Sequence, residues 1–175
     1  MKRFLSLSFV LLAVLAILAG PAQAEIRPIN LCLWENISVF PASDEIQGLR
    51  LSIYGVSSKV SGVDIGVVSR VTGDFLGAQW SFVNWVGGNA TGYQEGIVNY
   101  VEGDFLGWQT SAVNVTNGSF KGLQSALVNK AGDVRGVQIA IINLAESLYG
   151  LQIGLVNINN TPNPFPIFPI VNWSF

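Results

Sequence analysis

Gly92-Tyr93-Gln94-Glu95-Gly96-Ile97-Val98-Asn99, Gly107-Trp108-Gln109-Thr110-Ser111-Ala112-Val113-Asn114 and Gly122-Leu123-Gln124-Ser125-Ala126-Leu127-Val128-Asn129 are consecutive copies of one phrase. The same phrase runs outward in both directions: Gly77-Ala78-Gln79-Trp80-Ser81-Phe82-Val83-Asn84 precedes it, looser copies open at Gly62 and Gly48, and further copies open at Gly136 and Gly150. The leading glycines lie 14, 15, 15, 15, 15, 14 and 14 residues apart, and Gly-Asp-Phe-Leu-Gly stands at both 73–77 and 103–107. Such a fixed period marks an architecture built by copying one supersecondary unit.

With the glycine as position 1, position 3 is Gln in six of the eight copies, position 5 is always Gly, Ser or Ala, and position 7 is Val or Ile in seven. Positions 2, 4 and 6 are apolar except at Glu95, Thr110 and Ser125, which occupy position 4 of three successive copies. A period of two is strand geometry, because successive side chains point to opposite faces. Between the phrases come Thr72-Gly73-Asp74, Glu102-Gly103-Asp104, Asn117-Gly118-Ser119 and Gly132-Asp133. Gly beside Asp, Asn or Ser supplies the conformations that a chain reversal needs. The unit is thus read as one strand of about ten residues followed by a turn.

An all-β fold of tandem 14–15-residue strand repeats can be assembled in two ways. In an antiparallel up-and-down meander, position 3 faces position 5 of the neighbouring strand and Gln meets a small residue. In a β-solenoid, position 3 stacks on position 3 and the amides form ladders. The irregular bulk on the 2/4/6 face (Leu, Ile, Val, Trp, Phe, Tyr) suits lipid better than a jigsaw-packed interior. A polar or small 3/5/7 face turned inward completes the pattern of a transmembrane barrel. Trp85 and Tyr100, next to the turns, fit barrel rims. The eight copies, the tail and an alternating segment at Ile29–Trp34 sum to an even ten strands. The closing Val171-Asn172-Trp173-Ser174-Phe175 alternates and ends on an aromatic, so Trp173 and Phe175 read as a C-terminal outer-membrane signature. The leading expectation is therefore a small antiparallel barrel of about ten strands, with the β-solenoid as the alternative.

Lys2-Arg3, the apolar run Phe4 to Ala19 and Ala22-Gln23-Ala24 have the form of a secretory signal peptide. Residues 1–24 are expected to be removed, leaving one β-repeat domain over 25–175, with clear repeats at 48–157 and a decayed final repeat at 165–175. The chain is expected to be exported to the outer membrane or cell surface, or alternatively to the periplasm or medium.

The pattern Gly-[Leu/Val]-Gln-x-[Gly/Ser/Ala]-x-Val-Asn, the exported start and the aromatic tail resemble a family of uncharacterised surface-repeat proteins of double-membraned bacteria. The resemblance covers about Leu33 to Phe175; it implies a cell-envelope location and supplies no activity. The chain departs from it at Arg50 and Asp64, which replace Gln, and at Pro166 and Pro169. These prolines suit an edge or closing strand, since proline donates nothing to a ladder.

Half of the 175 residues are hydrophobic and 11% are charged; there is no His and one Cys, and the mean hydropathy is +0.45. Without His, the Ser-His-Asp and Cys-His catalysts and His-containing zinc sites are excluded, so no enzyme, cofactor or catalytic residue is expected. Net charge is −2, with no basic run to bind nucleic acid. Cleavage after Ala24 leaves 9 − 2 = 7 basic against 11 acidic residues. Asp74, Asp104 and Asp133 recur at turns and read as turn formers rather than calcium ligands. Cys32 is expected to pack as a small apolar residue. The expected polar positions of the repeat are Gln79, Gln94, Gln109, Gln124, Gln138 and Gln152, with Asn84, Asn99, Asn114, Asn129, Asn143 and Asn157. Arg50 and Asp64, at the same phase of adjacent copies, form a candidate ion pair, and Glu95, Thr110 and Ser125 a small polar patch. The function expected is non-enzymatic: a structural, adhesive or narrow-pore envelope protein with the lipid bilayer as partner, or alternatively a solenoid that binds a protein or glycan through a flat face.

Overall fold

The computed structural model describes residues 25–160 and 166–175. The expected signal peptide lies outside them. The described chain is all strand and turn: β1 Ile26–Trp34, β2 Ile37–Ser38, β3 Glu45–Ser57, β4 Lys59–Val71, β5 Phe75–Val86, β6 Ala90–Glu95, β7 Val98–Val101, β8 Phe105–Thr110, β9 Val113–Thr116, β10 Phe120–Ser125, β11 Val128–Ile139, β12 Ile142–Asn159 and β13 Ile167–Ser174.

Successive copies are parallel and in register. Gly48 pairs with Gly62, Gly62 with Gly77, and so on to Gly150. Gln79, Gln94, Gln109, Gln124, Gln138 and Gln152 stack in one column. The fold is a β-solenoid, and the antiparallel meander closing as a barrel is overturned. The physical reason is hydrogen-bond supply: identical amides satisfy both donor and acceptor of one another in an unbroken ladder when copies lie side by side, whereas the meander sets each Gln against a Gly or Ala with no polar side chain or a Ser too short to continue the ladder.

Each coil has two legs. A first leg holds positions −1 to 4, as in β6, β8 and β10, and a second holds positions 7 to 10, as in β7 and β9. A corner at positions 5 and 6 joins them; in β3, β4 and β5 a single strand runs through it. The small residue at position 5 follows from crowding there, since a methyl added to Gly96 would fall 2.2 Å from the Ser81 carbonyl oxygen. The corner also shifts the alternation by one residue. Position 7 therefore faces outward and position 8 inward, so Val83 and Asn84 exchange the faces that strict alternation over one straight strand assigns them.

The interior has an apolar half beside the turns and a polar half beside the corners. Ile46, Val60, Phe75, Ala90, Phe105, Phe120, Val134 and Leu148 form one buried column, opposed by Val71, Val86, Val101, Ala131 and Ala145. Phe105 and Phe120 stack nearly parallel, 5.6 Å between centroids. The apolar 2/4/6 face, expected to meet lipid around a polar lumen, is instead the outside of the coils, and Trp85 and Tyr100, expected at barrel rims, stack 6.5 Å apart on the outer wall of the second leg.

Both ends are capped. At the start, β1 pairs parallel with β3 and β2 folds antiparallel onto β1. At the end, β13 runs antiparallel to β12, setting Asn172 against Gln152. The described part of the decayed final repeat is thus a reversed closing strand rather than another stacked coil. Trp173 and Phe175 lie on this cap, where Phe175 meets Tyr149 edge-on.

Candidate functional site

Two arrangements of side chains carry chemistry: an amide spine inside and an aromatic and polar stripe outside. The spine begins at Arg50 and Asp64, both with fully buried side chains. Arg50 Nε donates to Asp64 Oδ1 at 2.8 Å and Nη2 to Oδ2 at 2.6 Å, while Nη2 also reaches Ser69 Oγ at 2.6 Å. Ser69 Oγ donates to Asp64 as well, and Gln79 Nε2 completes the set at 2.9 Å. Asp64 thus accepts four hydrogen bonds, one at Oδ1 and three at Oδ2, as many as a carboxylate ordinarily takes.

Because Asp64 can only accept, Gln79 must present its NH2 group to it and leave its own carbonyl to the next coil. The order then propagates. Gln94, Gln109, Gln124, Gln138 and Gln152 each donate to the Gln before them at 2.7–2.8 Å. At the far end Asn172 Nδ2 donates to Gln152 Oε1.

The Asn column runs the opposite way. Asn84 donates to Asn99, Asn99 to Asn114, and onward through Asn129 and Asn143 to Asn157, at 2.8–3.0 Å. The same Nδ2 atoms reach the position-4 carbonyls that lead into the corner of the following coil: Glu95, Thr110, Ser125, Ile139 and Ile153. Those bonds fix the orientation of each amide and tie the corners together. Ser69 stands at the Asn phase of the coil below and gives its hydroxyl to Asp64, leaving Asn84 Oδ1 with no donor among the described residues. The twelve amides named from the sequence are all buried in these two columns. Their opposed directions could not be read from sequence, because direction depends on which terminal partner only accepts.

At the turns, Asp74 Oδ1 accepts from the Asn89 backbone N–H, Asn89 Oδ1 from that of Asp104, and Asp104 Oδ1 from that of Ser119. Asp133 accepts from the Ser147 hydroxyl. These side chains link each turn to the next. Among the described residues no group of three or more His, Cys, Asp or Glu is placed to hold a metal. Cys32 is buried in β1, and burial pushes its thiol pKa up.

The outer arrangement lies on the first-leg wall. Trp80, Glu95, Thr110 and Ser125 share one column, and Ala78, Tyr93, Trp108 and Leu123 the column beside it. Trp80 and Tyr93 have centroids 5.6 Å apart, and Tyr93 and Trp108 5.5 Å. Trp80 Nε1 and Tyr93 OH both donate to Glu95 Oε2, at 3.0 and 2.7 Å. Burial, the hydrogen bond to Glu95 and that residue's charge push the Tyr93 pKa up to about 12. Tyr93 therefore keeps its phenolic proton to donate at neutral pH. The patch of Glu95, Thr110 and Ser125 is visible in the sequence; its union with the aromatics needs the register between coils.

Comparison with family models, curated proteins and solved structures returned no match. Beside the stripe, the corners form a ridge of exposed Ile53, Phe82, Ile97, Leu127, Ile141 and Leu155, of which Phe82 is 61% exposed. At the N-terminal end an apolar groove of about 790 Å³ is lined by residues including Leu31, Ile37, Val39, Leu51 and Ile53.

Proposed function

We propose that the chain is an exported, non-catalytic β-solenoid that binds a component of the cell envelope through its outer wall. The observation that carries this reading is the outward apolar face, continuous from coil to coil. Large exposed apolar surfaces on water-facing proteins mark interaction sites. Stacked coils commonly offer such extended binding surfaces. The amide spine supports the same reading: it holds the coils in one register, so wall side chains keep fixed spacings. The apolar leader and the resemblance to envelope repeat proteins favour export.

Two measurements test it. In the native host, the mature chain should leave the cell on osmotic shock or remain with the surface, without the heat-dependent gel mobility of a barrel. The purified mature chain should co-sediment with isolated envelope material, and vesicles of the host's lipids reveal whether the bilayer itself is the partner. A chain that stays cytoplasmic, or that sediments with no envelope fraction, sinks the proposal.

A further inference from the structure

We infer that the stripe of Trp80, Tyr93, Trp108, Glu95, Thr110 and Ser125 is a binding site for a linear, uncharged glycan chain lying along the solenoid axis. This rests on the proposed binding role of the outer wall and names the ligand for it. Three features of the stripe point to sugar.

The first is its two-sided chemistry. One column offers the rings of Tyr93 and Trp108, packed edge to face, and Leu123, and the adjacent column offers Trp80 and then a carboxylate followed by two hydroxyls. Sugar rings have matching character, with apolar C–H faces and hydroxyls at their edges. The second is unused hydrogen-bonding capacity. Glu95 uses only Oε2 within the protein. No described residue bonds Glu95 Oε1, Thr110 Oγ1 or Ser125 Oγ, which leaves all three open to a ligand. These free groups follow one another at the coil spacing of about 4.8 Å, so the stripe runs about 14 Å from Trp80 to Ser125. That length suits a chain of rings better than one compact ligand. The third is charge. The only ionised group on the stripe is Glu95, which has no ion-pair partner among the described residues. The nearest cations of the same wall, Lys121 and Arg135, stand at position 0, four residues along the strand from the polar column and therefore about 13 Å away. A carboxylate so placed repels acidic polymers. It also disfavours a lipid surface, in which an ionised carboxylate is costly.

The test uses the purified mature chain and its tryptophan fluorescence, titrated with neutral linear hexasaccharides of glucose and of N-acetylglucosamine, with polygalacturonate as the acidic counterpart and with phosphatidylcholine vesicles. At least one neutral hexasaccharide should bind, and polygalacturonate at least tenfold more weakly. Trp108→Ala should weaken the neutral ligand at least tenfold. Trp85→Ala, on the other wall, should leave it within twofold, and Glu95→Gln should narrow the gap between neutral and acidic ligands. Circular dichroism of each variant confirms that the coils remain intact. The glycan assignment is overturned if no hexasaccharide binds, if Trp85→Ala weakens binding as much as Trp108→Ala, or if only vesicles respond. If no hexasaccharide binds but envelope material still co-sediments, the glycan assignment alone falls. Loss of both removes the binding wall as well.

Discussion

At the residue scale the decisive group is Asp64. It terminates the Gln column with an acceptor-only side chain and is neutralised by Arg50 in a fully desolvated pair. Removing one member of such a pair strands the other charge in the interior, which costs about 3–5 kcal/mol. Asp64→Asn should therefore lower the urea midpoint severely. Replacing both residues, as in Arg50→Gln with Asp64→Gln, extends the amide column by two members. Substituting a buried pair as a whole by neutral side chains is often tolerated, so the double variant should recover most of the stability lost in the single one. A double variant no more stable than Asp64→Asn would show that the column cannot continue through this coil. The common phase of the two residues is legible in the sequence. That Ser69 and Gln79 join them is not, because those contacts span 5 and 15 residues across the corner and the next coil.

At the scale of the element, the stacked glycines set how closely the coils approach. All eight leading glycines have φ between 125° and 148°, a conformation that side chains rarely adopt. A methyl at Gly107 would lie 2.0 Å from the Gly92 carbonyl oxygen. Strain and collision act together, and neither is relieved by a rotamer change, since the obstacle is backbone. Gly107→Ala should destabilise the chain by at least ~4 kcal/mol, the range reserved for core-disrupting changes. Equilibrium urea unfolding checks this, and a loss under ~1 kcal/mol would refute the close-approach account. The glycine period is plain in the sequence, and it places these glycines at the head of each strand and other glycines in the turns. Only the register shows that each stands directly against the glycine of the neighbouring coil.

For the whole molecule, the risk is the open end of a stack of parallel strands. An uncovered coil presents unpaired backbone groups to any other chain, a template for aggregation. Strand β13 meets this hazard by reversing direction over β12, with Pro169 on its exposed edge and a register shift between Gly154 and Asn157. Truncation after Asn160 should leave the coils able to form but exposed at β12. Light scattering and size-exclusion chromatography of the truncated mature chain should then show concentration-dependent association absent from the full one. A monomeric truncated chain would mean that the cap has no protective role. The antiparallel sense of this strand was hidden because Asn157 and Asn172 keep the repeat spacing of 15. The prolines were the visible departure.

By itself the sequence determined the period, the all-β class, the turn positions and the twelve amides that recur at fixed phases. These follow from local rules: alternation reports strand geometry, and Gly with Asp or Asn reports reversal. The tertiary structure alone decided how the strands pair and which face is wet. Alternation shows that two faces differ without showing which one meets water, so a barrel with its apolar face outward and a solenoid remain equally consistent with it. What separates them is satisfaction of buried polar groups. Gln and Asn can be withdrawn from water here because each finds its own copy in the neighbouring coil, a contact made across 14 or 15 residues. That economy turns the polar side chains inward and leaves Trp80, Tyr93 and Trp108 on the surface, where a partner can reach them.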